Sequence, residues 1–211
     1  MMNIAILLSG RGSNFLAIKE AIDNGAISNA QIVCVISNKE QAAGLESARN
    51  FGMNAIFLNP ADYKYIENGV SYFDRNAYDS ALLDLLKANN VDLVCLAGYM
   101  RVVTEAVINE YAGRIINIHP SLLPSFPGID AQKQALNYGA KVSGCTVHFV
   151  DKGVDTGPII MQTTVPVFQD DNEHELSKRI LAEEHKLYIK AIALYTKGLL
   201  KIEGRKVSVV S

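Results

Sequence analysis

The chain has 211 residues, 49% of them hydrophobic and 20% charged, which is the make-up of an ordinary globular protein long enough to bury one substantial core. A formal net charge of -2 argues against the broad basic footprint of a nucleic-acid-binding domain, for which a pI above about 9 is expected. Cys34, Cys95 and Cys145 lie in apolar runs, with no Cys-x-x-Cys pair and no histidine at zinc-ligand spacing, so they read as buried thiols of a reducing cytoplasm and not as metal ligands.

The amino terminus is apolar only from Ile4 to Leu8 and lacks a basic leader, so it reads as a strand and not as a signal peptide. Further short, almost continuously apolar runs follow at Ile32 to Ile36, Ala55 to Leu58, Leu93 to Ala97 and Ile115 to Ile118, the pattern of a buried parallel sheet. Between them Asn14 to Asn24, Gly44 to Phe51, Arg75 to Asn89 and Thr104 to Tyr111 read as helices. This alternation predicts a doubly wound α/β fold. After Pro127 the pattern changes. Val142 to Val150 and Pro158 to Val165 read as two strands joined by a loop, which makes the sheet mixed there. A final helix is expected from about Glu173 to Lys197, capped by Asp171 or Asn172, with a strand or hairpin over Leu199 to Ser211. No apolar run approaches the ~20 residues of a membrane span. No repeat, low-complexity tract or linker divides the chain, so one domain is expected.

Ser9-Gly10-Arg11-Gly12-Ser13-Asn14 joins the first strand to the first helix. Its glycines allow a tight turn with bare amides, and Ser13 and Asn14 lie where the helix dipole faces an anion. The segment reads either as a phosphate loop or as a tight turn with a serine cap. No third glycine near Phe15 and no acidic residue at the Ser37-Asn38-Lys39 strand end completes a dinucleotide fingerprint, and there is no Walker A sequence. A single phosphate on a small substrate is the expected anion.

Asn117-Ile118-His119-Pro120-Ser121-Leu122-Leu123-Pro124 and the later Val154-Asp155-Thr156-Gly157-Pro158 carry the polar groups best suited to carbonyl chemistry. Strand alternation puts Asn117 and His119 on one face, and Pro120 ends the strand at the carboxyl edge where open α/β sheets bind ligands. Taken singly, Asn117 could satisfy its own backbone, His119 could be a structural histidine and Asp155 a turn residue. Together they suit an acyl transfer. The Asn117 amide and a cationic His119 would donate to a developing oxyanion, while Asp155 would raise the histidine pKa, orient the ring and help to relay a proton.

These segments, with Leu96-Ala97-Gly98-Tyr99-Met100-Arg101 between them, resemble in order and over essentially the whole chain the phosphoribosylglycinamide formyltransferases. The resemblance implies a single Rossmann-like formyltransferase domain over 1–211. Its sheet would be mostly parallel and twisted with an antiparallel portion, and helices would cover both faces. A nucleotide-binding half would span about 1–110 and a folate and catalytic half about 111–211. It implies formyl transfer from 10-formyltetrahydrofolate, as co-substrate and without a metal, to the amine of glycinamide ribonucleotide in de novo purine synthesis. The catalytic residues would be Asn117, His119 and Asp155. Gly12, Ser13, Asn14 and Glu184 would meet the ribonucleotide. Arg75, Met100, Arg101, Val102, Val103, Asn117, Asp151 and Asp155 would meet the folate. A cytoplasmic monomer or homodimer with small-molecule partners is implied, with neither nucleic acid nor membrane.

Glu184 also stands out by pattern, because it falls on the apolar stripe of Leu176, Ile180, Leu187 and Ala191 and so needs a ligand or an ion-pair partner. Arg75 could equally be a solvated arginine at a helix start. His148 reads as a satisfied core-edge histidine, and His174 and His185 as helix-surface residues. Gln132 stands where relatives often have histidine, outside the trio, which puts an auxiliary role for that histidine in doubt and leaves the main chemistry intact. A formyltetrahydrofolate hydrolase, a formyltransferase for initiator tRNA or a nucleotide sugar, and a non-catalytic folate-binding module are the other readings. The first usually carries an extra amino-terminal domain, and the tRNA enzyme a basic carboxyl-terminal one.

Overall fold

The computed structural model describes residues 1–210, so that the Ser211 end of the expected last segment lies outside the described residues. The chain forms two compact units, Met1–Leu16 with Ala30–Ile115, and Ala17–Asn29 with Ile116–Ser211.

In the first unit β1 (Met2–Leu8) pairs in parallel with β2 (Ala30–Ser37) and with β6 (Leu93–Leu96), and β2 pairs in parallel with β3 (Ala55–Phe57). The continuous apolar run suits β1 to its place as an interior strand, paired on both sides. Ile4 to Leu8 are all fully buried, and each of the Ile and Leu side chains contributes about 1.5–3 kcal/mol by leaving water. Helices α2 (Ala43–Asn50), α3 (Arg75–Ala88) and α4 (Glu105–Glu110) fall where periodicity places them, with α3 capped by the Asp74 side chain on the Ala77 amide. A 3-10 turn (Pro60–Tyr63) and a separate hairpin of β4 (Lys64–Glu67) and β5 (Val70–Phe73) were not expected. The hairpin turns on Asn68-Gly69, both at positive φ, the signature of a two-residue hairpin loop. Its strands are almost wholly exposed, which is why no buried period marks them.

Helix α1 (Ser13–Asp23) starts in the first unit and runs on into the second segment set. In the second unit β7 (Ile115–His119, from Ile116 onward) pairs antiparallel with β8 (Val142–Phe149), and β8 pairs antiparallel with β9 (Ile159–Pro166). The reversal to antiparallel pairing is the mixed portion that the sequence announces after Pro127. Helix α5 (Ala131–Tyr138), not expected, ends on Gly139 in the left-handed region. Helix α6 (Glu173–Thr196) begins with a full capping box between Asn172 and Glu175 and buries Leu176, Ile180, Glu184, Leu187, Tyr188, Ala191 and Ile192. A hairpin of β10 (Leu200–Glu203) and β11 (Lys206–Val209) follows, and β11 meets β9 in parallel at Lys206. No helix among the described residues is long and apolar enough to cross a membrane.

Candidate active site

Strand β7 ends at His119, and its register with β8 sets Asn117 opposite His148 and His119 opposite Thr146. These four side chains therefore stand on one face of the β7–β8 pair. The loop after β9's partner strand brings in Asp155, which adopts a left-handed backbone at φ 54°. His119 Nδ1 lies 3.3 Å from Asp155 Oδ2. Asn117 Nδ2 lies 3.5 Å from Asp155 Oδ1 and 3.2 Å from His148 Nε2. The three residues singled out from sequence thus meet in one cluster, and His148 joins them.

Supporting bonds fix each member. The His148 Nδ1–H donates to the Phe149 carbonyl at 2.8 Å, which turns Nε2 toward Asn117 and Asp155. His148 Nε2 is also 3.6 Å from Asp155 Oδ1. The Asp155 Oδ2 accepts the Gly128 amide at 2.8 Å. His119 Nε2–H donates to the Phe126 carbonyl at 2.9 Å, so both ring nitrogens face acceptors. Only an imidazolium can donate to both at once. Donation from Nε2 to a substrate oxygen requires that it leave the Phe126 carbonyl.

The loop that supplies these partners is itself held in sparsely populated backbone. Phe126 and Asp130 have φ of 54° and 55°, and for a bulky residue such as Phe126 this costs on the order of 1–3 kcal/mol. Gln134 steadies the turn by donating to the Pro127 and Ile129 carbonyls. Nearer the strand, Thr146 Oγ1 donates to the Ser121 carbonyl and accepts from the Leu123 amide, and Gln162 donates to the Leu123 carbonyl. The strain therefore sits beside the cluster, where it fixes the Phe126 carbonyl on His119.

Burial dominates the electrostatics of His119 and lowers its pKa, while the Phe126 carbonyl and the Asp155 carboxylate pull it back up and His148 pushes it further down. The sign expected for Asp155 is present, but desolvation outweighs it. Burial also pushes Asp155 upward, yet His148, the Gly128 amide and the charge of His119 together hold its carboxyl below the ordinary value. Asp155 is accordingly a carboxylate at neutral pH.

Asp151 shapes the loop that presents Asp155, since its Oδ1 accepts the Gly153 amide at 3.1 Å and the Thr156 hydroxyl at 2.6 Å. Glu184 is buried on the inner face of α6, 8% exposed, as the stripe requires. His174 is exposed, but His185 is not a simple surface residue: its Nε2 is buried without a hydrogen-bond partner among the described residues, and burial lowers its pKa.

In the first unit, Gly12 takes φ 76° and its carbonyl accepts the Leu16 amide at 2.9 Å as α1 begins at Ser13. A Cβ on Gly12 would come within 2.5 Å of Gly44 Cα, so that the loop and the start of α2 pack backbone to backbone. The Gly44 amide donates to Gly10 O at 3.0 Å, and Asn14 is 7% exposed. An open cleft of about 520 Å³ is bordered by Ser9, Gly10 and Arg11 on one side and by the Lys39 to Ala43 stretch on the other. Arg75 is exposed at the first turn of α3.

Met100 to Val103 follow β6 in irregular backbone, with Met100 and Val102 presenting apolar side chains, 65% and 50% exposed, and Val103 buried. Among the described residues no group of three or more His, Cys, Asp or Glu side chains is disposed to hold a metal ion.

His148 is the member of the cluster whose part sequence reasoning missed, along with the Phe126 carbonyl and Gly128 amide. Its alternation with Thr146 was visible, but the β7–β8 register that places it against Asn117 was not.

The formyl transferase family model matches residues 2–192. The chain is 42% identical to phosphoribosylglycinamide formyltransferase of Escherichia coli (strain K12) over 202 residues, which cover 95% of this chain and 90% of that protein. It is 45% identical over 196 residues to the trifunctional purine biosynthetic protein adenosine-3 of Drosophila melanogaster; the match covers 92% of this chain but only 14% of that much longer protein. A solved structure of glycinamide ribonucleotide transformylase 1 from Symbiobacterium toebii superposes with a TM-score of 0.93 at 49% identity, covering 100% of this chain and 95% of that one. The fold they share is a mostly parallel sheet with an antiparallel portion and helices on both sides. On sequence and on structure alike, the chain belongs to the formyl transferase family.

Proposed function

We propose that this chain transfers a formyl group from 10-formyltetrahydrofolate to the primary amine of glycinamide ribonucleotide, giving the N-formyl product and tetrahydrofolate in de novo purine synthesis. The observation that carries this reading is the convergence of Asn117 and His119 on Asp155, the first within hydrogen-bonding reach of its carboxylate and the second within ion-pair reach. The E. coli relative, nearly as long as its match to this chain, bears the name of that activity.

The folate, when bound, supplies the formyl group. The Asn117 amide and His119 donate toward the oxygen on which charge develops, each such donor being worth on the order of 10²–10³ in rate. Asp155 holds the His119 ring in register, stabilises its cationic form and relays, through water, the proton of the attacking amine to the folate nitrogen, whose bond to the formyl carbon breaks as the new carbon–nitrogen bond is completed. Gly12, Ser13 and Asn14, at the amino end of α1, serve the ribonucleotide phosphate, and Glu184 contacts the ribonucleotide. Met100, Arg101, Val102 and Val103 bind the pterin, Arg75 meets the anionic tail of the folate, and Asp151 supports the folate contacts of Asp155. The whole chain acts as one formyltransferase domain, as a monomer or homodimer. Its three free, buried cysteines support a cytoplasmic location.

An absorbance assay of the purified protein with 10-formylated folate, with and without glycinamide ribonucleotide, tests the proposal. Formyl loss that depends on the amine is expected. Loss without the amine means hydrolysis, and no loss in either mixture means a folate-binding module or a different acceptor amine.

A further inference from the structure

Two buried polar side chains to which formyl transfer assigns no task lie at opposite ends of one short segment. Ser9 is 3% exposed. Its hydroxyl accepts the Met100 amide at 2.8 Å and donates to Asn38 Oδ1 at 2.5 Å, while its own amide donates to the Gly98 carbonyl at 3.0 Å. Asp79, also 3% exposed, projects from α3 and accepts the Thr104 amide. Burial pushes the pKa of Asp79 up, against the Thr104 amide and hydroxyl and the charges of Arg101 and Arg75.

The backbone between those two bonds belongs to no strand or helix, so no ladder fixes its shape. Inside it Arg101 lays its guanidinium 4.2 Å from the Phe73 ring centroid and 4.5 Å from that of Tyr78, and the Tyr78 hydroxyl lies 3.2 Å from that of Tyr99. Arg101 therefore packs against the protein while Met100 and Val102 remain exposed. A buried carboxylate is costly unless it is hydrogen-bonded or paired, and Asp79 accepts the amide of Thr104 at the far end of this segment.

We propose that Asp79 and Ser9 are positioning residues that hold Met100 to Val103 in the shape that binds the folate. This rests on the reading of that segment as the pterin site. A segment pinned at both ends is ordered before the ligand arrives, so the ordering cost is not charged to binding. Loss of a pin then appears in folate affinity and leaves the chemical step unchanged. Ser9 also opens the phosphate loop, so Asp79 is the more selective probe.

The test compares Asp79→Ala and Asp79→Asn with the wild-type full-length chain, below the melting temperature of each. The readouts are tetrahydrofolate binding by fluorescence, KM for both substrates and kcat. Asp79→Ala is expected to weaken tetrahydrofolate binding and raise the formyl-folate KM about tenfold. The ribonucleotide KM and kcat are expected to stay within about twofold. Asp79→Asn, whose amide oxygen still accepts from Thr104, is expected to recover most of the loss. Should Asp79→Ala fail to fold, Ser9→Ala decides, with the formyl-folate KM expected to rise more than the ribonucleotide KM; an equal or larger rise in the ribonucleotide KM overturns the proposal. Unchanged folate binding in the folded variant, equal damage to both KM values, or no recovery in Asp79→Asn overturns the proposal alone. A wild-type protein that binds no folate overturns the functional reading, and the proposal with it.

Discussion

His119 Nδ1 stands 3.3 Å from Asp155 Oδ2, and the same oxygen accepts the Gly128 amide at 2.8 Å. The carboxylate is thus shared between ring and loop, and its charge supports the imidazolium against a burial that favours the neutral ring. Asp155→Asn removes that charge while keeping size. The His119 pKa is expected to fall further, followed by NMR titration of the ring protons. An unchanged titration removes Asp155 from the electrostatics of the histidine.

Acid sensitivity follows from the same groups. The folded pKa values of His119, His185 and Asp155 all lie below their ordinary values, so at each of these groups the unfolded chain binds more protons in acid and stability rises with pH, while Asp79, raised by burial, acts in the opposite sense. The histidine contributions are complete above about pH 6.5 and are lost as pH falls through that value toward the folded pKa. That of Asp155 is complete above about pH 4 and is lost as pH falls further. Melting temperature is expected to decline from pH 7 to pH 5, with a shallower decline in His185→Gln. A flat profile contradicts this.

Asn117→Ala and His119→Ala are each expected to slow formyl transfer by roughly 10² or more, with a much smaller effect on stability. Single-turnover rates and thermal melts check the two halves. Near-normal turnover in either variant takes that residue out of the mechanism.

His148 Nε2 lies 3.2 Å from the Asn117 amide nitrogen and 3.6 Å from Asp155 Oδ1, so it acts through both without being required for donation to the substrate. His148→Ala is expected to lower kcat by roughly tenfold, less than either direct variant, as expected for a lost hydrogen bond to an oriented group. A loss as large as that of Asn117→Ala, measured side by side, makes His148 a direct participant.

Gly44 meets Gly12 so closely that an added Cβ would lie 2.8 Å from Gly12 Cα and 2.8 Å from a Leu8 methyl. Gly44→Ala is expected to cost about 1–3 kcal/mol of stability and, by displacing the loop, to raise the ribonucleotide KM more than the folate KM. Equal kinetics with normal stability shows that the two backbones separate freely.

The sequence by itself determined the elements whose signals are local. Continuous apolar runs marked β1, β2, β6 and β7 because a strand buried on both faces needs apolar residues throughout. Helix starts were legible at Arg75 and Glu173, and the structure caps them with the side chains of Asp74 and Asn172, the second being one of the two caps expected. Asn117, His119 and Asp155 could be selected because strand alternation, Pro120 and the chemistry of the three side chains agree with one another. The Asn68-Gly69 turn was a local signal too, but its exposed strands lack the buried period that would have drawn attention to it.

Tertiary structure alone decided what depends on register and on backbone groups. Whether Asn117 faces His148 rests on the antiparallel alignment of β7 with β8, and a shift of one residue would turn the face over. The Phe126 carbonyl on His119 and the Gly128 amide on Asp155 belong to main-chain atoms, which every residue carries and no residue letter distinguishes. The net direction of the His119 pKa was equally out of reach of the sequence. A neighbouring carboxylate can be inferred from spacing, but the desolvation that outweighs it is a property of the packed interior.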